Sequence, residues 1–131
     1  MAAASDYLED KVLDHVLDVA AYPQPTALYV GLFTADTGLE SNSPTAEVTG
    51  NGYARTVVTF GAATSGSSTN NANVTFPTAS GGNWGTITYA AVMDAASGGN
   101  VLFYGALSVA KTVTDGDTFQ ISTGQLTITM A

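Results

Sequence analysis

At 131 residues, with 11 acidic side chains against three basic ones and no cysteine, the chain has the length of a single domain (residues 1–131) and cannot carry a disulfide framework, a thiol nucleophile or a thiolate metal site. A formal charge of −8 excludes the phosphate neutralisation on which nucleic-acid binding rests, and it disfavours an anionic membrane surface. Charged residues make up only 11% of the chain, against about 25% in an ordinary domain, while 45% is hydrophobic and 14 residues are glycine.

The first stretch, MAAASDYLED, lacks the basic region and apolar segment of a signal peptide, so export by the standard route is not expected. No run approaches the ~20 apolar residues of a membrane span. Residues 5–20, SDYLEDKVLDHVLDVA, carry the helical pattern. Leu8, Val12, Val16 and Val19/Ala20 recur at spacings of three and four, and Leu13 and Leu17 widen the stripe. Asp6 is the expected N-cap, with Glu9 three residues on, and the acids of the first turn suit the helix dipole. Pro23 and Pro25 forbid continuation.

From Pro25 onward the chain reads as strand. The segments 26–33, 53–60, 72–76, 85–93, 100–107, 110–114, 117–121 and 125–130 are short and rich in β-branched and aromatic residues, bounded by Gly, Asn, Asp and Pro. Thr114–Asp117 makes a tight turn with Gly116 inside it. The predicted fold class is therefore mainly β: an antiparallel sandwich or jelly roll of about eight strands over residues 26–131, with one N-terminal helix. Two connections, 34–52 and 61–71, are long for a domain of this kind and are assigned to loops.

The ribbon 85–107 has more apolar surface than one buried face needs. In GTITYAAVM, Ile87, Tyr89, Ala91 and Met93 alternate with Thr86 and Thr88, yet Ala90 and Val92 make the second face apolar too. The partner segment is apolar on both faces: Val101, Phe103 and Leu107 against Leu102, Tyr104 and Ala106. Such a ribbon is covered on both sides. One cover is the opposing sheet; the other is the N-terminal helix or a neighbouring subunit, unless the pattern is ordinary scatter. The candidate interface residues are accordingly Leu8, Val12 and Val16 on the helix and Tyr89, Val92, Leu102 and Tyr104 on the ribbon. Arg55 joins them as a lone cation among strands, able to pair with an acid of the long loop or of a partner subunit, or to sit as an edge-strand charge.

Catalytic and metal chemistry find little footing. His15, the single histidine, lies on the helix with no nucleophile indicated nearby. Asp115 and Asp117 flank a glycine, but the remaining ligands of a calcium loop are missing. Gly50-Asn51-Gly52 leads into a strand rather than a helix and has Arg55 where a third glycine would stand, so it fails as a dinucleotide motif. No nucleophile elbow occurs, and the sequon at Asn73 lacks a secretory context. No enzyme activity, cofactor or metal is expected.

Residue order carries more. A short acidic helix leads through prolines into PTALYVGLFTAD; then come EVTGNGYARTVVTFGAA, a Ser/Asn-rich stretch, VTFPTAS, WGTITYAAVMDAASGGNVLFYGAL and a GDTFQISTGQLTIT end. Over nearly its whole length the chain resembles a family of small virion proteins of tailed bacteriophages, most specifically in ALYVGLF, the Gly50–Arg55 segment and residues 84–107. The resemblance implies a virion structural component, made in the host cytoplasm, without catalytic residues. Some members are labelled tail-fibre proteins; others resemble the cement, or decoration, proteins that cap capsid shells as trimers. The expectation drawn from it is a capsid decoration protein that forms a homo-oligomer, a trimer, and clamps the phage major capsid protein on the outside of the head. The alternatives are a tail or tail-fibre-associated protein and a carbohydrate-binding β-sandwich module using Trp84 and tyrosines to stack on sugars.

Overall fold

A computed structural model describes residues 2–130. In chain order its elements are β1 (Ala3–Ala4), α1 (Asp6–Val16), β2 (Leu28–Phe33), β3 (Thr56–Val58), β4 (Ser67–Thr69), β5 (Val74–Thr75), β6 (Gly85–Met93), β7 (Val101–Val113), β8 (Gln120–Ile121) and β9 (Thr127–Thr129). The fold is mainly β and antiparallel, with the N-terminal helix in place. A five-stranded sheet in the order β1-β7-β6-β2-β3 faces two smaller pairs, β4-β9 and β5-β8.

The principal core lies between these layers. Val30, Leu32, Val58, Ile87 and Ala90 of the large sheet meet Val74, Phe76, Trp84 and Phe119. Phe76 stands edge-on to Phe119 at 5.6 Å between ring centroids, and Tyr53 stands edge-on to Trp84 at 5.3 Å. Edge-to-face contacts of this kind match the positive ring edge to the negative face.

The predicted cover of the second ribbon face needs correction. Phe33, Ala91, Met93 and Val101 form a separate buried cluster on that side, and Leu39 closes it. Leu39 belongs to the long connection 34–52, so over this part of the ribbon a loop of the same chain does the covering, where the helix is the first expectation from the sequence. Strand β2 explains how one sheet feeds two clusters: Val30 and Leu32 point into the main core while Phe33 points away from it.

The face assignment along β6 also changes. Ile87 joins Ala90 in the main core, although alternation places it with Tyr89, Ala91 and Met93. Ile87 stands opposite Lys111 and Tyr89 opposite Ala106, so two steps on β6 answer five on β7. This bulge, Leu107–Ala110, reverses the phase of the ribbon and keeps β7 continuous where two strands, 100–107 and 110–114, are predicted. A further register shift lies at Val92/Met93.

Other strands are shorter than their sequence pattern. The segment 53–60 keeps only Thr56–Val58, because Tyr53 turns inward and Thr59 accepts from the Asn71 amide instead of a ladder partner. The supposed loop 61–71 holds β4, paired with β9.

The cap of helix α1 lies one residue before the expected one. Ser5, not Asp6, is the N-cap: its hydroxyl accepts from the Leu8 amide at 3.3 Å and donates to the Val101 carbonyl, while its own N–H donates to Leu102 O at 2.9 Å. A buried cap tied to β7 outcompetes an exposed aspartate. The helix stops at Val16 rather than near residue 20. Asp18 adopts φ 63°, and the Val19 N–H reaches back to Asp14 O at 2.8 Å, a left-handed C-terminal cap formed without glycine.

Candidate functional site

Three surfaces and one internal clamp are the features with functional content. The clamp is built on Arg55. Its Nε and Nη2 donate to the two Glu47 carboxylate oxygens at 2.7 and 2.8 Å, and its Nη1 donates to the carbonyls of Ala95 at 2.9 Å and Gly98 at 2.7 Å. The Tyr53 hydroxyl donates to Glu47 Oε2 at 2.7 Å and accepts from the Leu32 amide at 3.0 Å. Burial, with the hydrogen bond to Glu47 next, pushes the Tyr53 phenol well above its ordinary range. The bond to Glu47 likewise raises the Arg55 guanidinium against the opposing effect of burial. Gly31 makes room for the group, since a Cβ there would meet Glu47 Oε2 at 3.0 Å. Of the partners open to Arg55 in the sequence, the acid of the long loop is the one it takes. The result fastens the 34–52 loop and the 94–100 turn to the edge of the large sheet.

The other singled-out residues divide by burial. Leu8, Val92 and Leu102 are buried within the chain itself. Val12, Tyr89 and Tyr104 are half-buried, Tyr89 and Tyr104 lying against the second cluster. Val16 is 69% exposed, and beside it Leu13 and Leu17 are 56% and 67% exposed. Leu13 and Leu17 were legible as the widening of the helical stripe. What marks them as surface is that only Leu8 of α1 is buried.

This exposed helix face is the first surface. It borders the second, an apolar groove of about 750 Å³ between α1, β1 and the C-terminal end, lined by Leu8, Val12, Leu13, Phe103 and Met130 with Glu9 and Asp10 at its rim. The third is a groove of about 400 Å³ along the free side of β7.

Remaining chemical candidates resolve into structure. His15 Nδ1 accepts from the Tyr22 amide at 3.0 Å, pinning the segment after the helix. Asp117 accepts from the amide and hydroxyl of Thr114, and those bonds hold its carboxyl below the ordinary range. Among the described residues no group of His, Asp and Glu is placed to hold a metal ion. Trp84 is buried, with its indole N–H donating to Asn51 O at 2.9 Å, so it offers no face to a sugar. No helix among the described residues is long and apolar enough to cross a membrane.

Residues 3–129 match the family described as podophage GP4 fiber I protein gp80. The chain belongs to that family. The match runs from β1 to β9 and takes in every element of the fold. A search of curated proteins finds no match. The family is one of phage fibre and virion structural proteins, in line with the resemblance carried by residues 27–33, 50–55 and 84–107. A phage structural role follows, and it speaks against catalysis.

Proposed function

We propose that the protein is a subunit of the phage tail-fibre apparatus that docks on another virion protein through the exposed face of α1 and the apolar groove beside it. The carrying observation is the uncovered stripe Leu13, Val16 and Leu17 on a helix whose root is anchored firmly to β7. Burying a side chain of this size contributes about 1.5–3 kcal/mol, so three adjacent ones form a contact worth covering. The fibre description of the family supports a tail location. The acidic rim at Glu9 and Asp10 suits a partner surface edged with lysine or arginine.

The test is the copy number per purified virion, measured by quantitative mass spectrometry. Tail placement requires a small multiple of the portal symmetry; a count matching the shell lattice refutes it. Leu13→Asp combined with Val16→Asp is expected to abolish incorporation while leaving the melting temperature of the isolated protein unchanged.

A second reading is a capsid decoration protein on the outside of the head. Its support is that a fibre shaft is long and repetitive, whereas this sequence has no internal repeat and folds as layered short strands. In that reading copies self-associate as trimers and clamp the major capsid protein, with many weak contacts adding through multivalency. Sedimentation that shows only monomer up to high concentration would remove the trimer.

A further inference from the structure

The large sheet ends in an open seam. Strand β7 has β6 on one side and only β1 on the other, and β1 pairs just Ala3 with Tyr104 and Ala4 with Phe103. Beyond Gly105, β7 runs on to Val113, and among the described residues no strand pairs with it on that edge. Across the seam lies β9, which has β4 on its far side and meets this one through a single parallel bridge, Ile128 with Ala2. Between the two runs the 400 Å³ groove, floored by the half-buried Leu107, Ile121, Leu126 and Ile128.

We infer that this seam receives an extended strand from another virion protein. Ala2–Ala4 already show what the slot accepts: extended backbone with small side chains, antiparallel to β7 and parallel to β9. A strand continuing that line beside Gly105–Ala110 finds an edge of β7 that no described strand occupies and apolar side chains beneath it, the two components of strand addition. Charge specifies the occupant further. Lys111 is the single charged residue lining the groove among the described residues, in a chain with 11 acids. The segment that fits presents small or apolar side chains inward and a carboxylate near Lys111. The bulge itself presents Ser108, Val109 and Ala110, with Val109 63% exposed, and Lys111 follows it.

The inference rests on the chain being a virion subunit, and the experiment separates the two. Amide hydrogen exchange of residues 105–110 is followed by mass spectrometry in the purified protein and in purified virions. Exchange slowed at least about tenfold in the virion is the expected result. Equal exchange in virions that contain the chain overturns strand addition and leaves the virion role intact; virions without the chain refute that role itself. Protection that rises with the concentration of the isolated protein overturns the assignment to another protein and gives the slot to a second copy. Val109→Asp, at an exposed position with no β6 residue opposite, is expected to keep the native melting temperature and lower incorporation about tenfold, the effect of roughly 1.4 kcal/mol. Normal incorporation of that variant counts against the seam.

Discussion

Replacing Arg55 by methionine removes four hydrogen bonds at once, two to Glu47 and two to the carbonyls of Ala95 and Gly98. The side chain fills similar volume but leaves the Glu47 carboxylate with Tyr53 as its remaining partner there. Breaking a buried ion pair from one side costs about 3–5 kcal/mol, because the surviving charge stays in a poorly solvated place. The Arg55 side chain is 7% exposed but that of Glu47 is 21% exposed, so water reaches the orphaned carboxylate and the lower end, about 3 kcal/mol, applies. An unfolding entropy of about 2.1 cal/mol/K per residue gives roughly 0.28 kcal/mol/K for 131 residues. The melting temperature should therefore fall by about 11 °C. Urea unfolding is the direct assay, read by far-UV circular dichroism and by the fluorescence of Trp84, whose ring packs on Tyr53. Removing both charges in Arg55→Met with Glu47→Leu should recover part of the loss, since no lone buried charge remains. A loss below about 1 kcal/mol for the single variant, or the same loss in the Glu47→Leu background, would refute the clamp as an energetic unit.

Alkaline pH offers a second check. The folded Tyr53 phenol titrates above its unfolded value of about 10, so its contribution is complete below that pH and is lost as pH rises, because the unfolded state releases the proton first. Urea midpoints from pH 9 to 11.5 should decline more steeply for the native chain than for Tyr53→Phe, and parallel slopes would count against the buried phenol. Leu39→Ala should cost about 2–5 kcal/mol, as for other fully buried leucines, and should speed amide exchange in residues 34–52; a loss under about 1 kcal/mol would mean that the loop does not cover the second cluster. Ser5→Ala removes the cap of α1 and a partner of the buried Val101 carbonyl. A loss of about 2 kcal/mol is expected in thermal melts, with faster exchange in α1 than in β6.

The mainly β class, the single N-terminal helix and strand β6 were all legible in the sequence, β6 residue for residue at 85–93. Alternation and β-branched content are local properties, and over nine residues they are enough to place a strand. The helical stripe was legible for the same reason, as was the need of the 85–107 ribbon for cover on both faces. Which group supplies that cover was not, because Leu39 lies about fifty residues from Ala91 in the chain and nothing local marks it as a lid. The same holds for Arg55, whose choice of Glu47 depends on how the 34–52 loop folds back, and for Ser5, whose strength as a cap comes from Val101 and Leu102 across the sheet. The bulge at Leu107–Ala110 had no signature in β7 itself, since the register of a ladder is settled between two strands. Local pattern thus decided where apolar surface exists along this chain. Tertiary structure decided which of it is buried by the chain and which, on α1 and along β7, remains exposed, because burial depends on distances in space that sequence spacing does not encode.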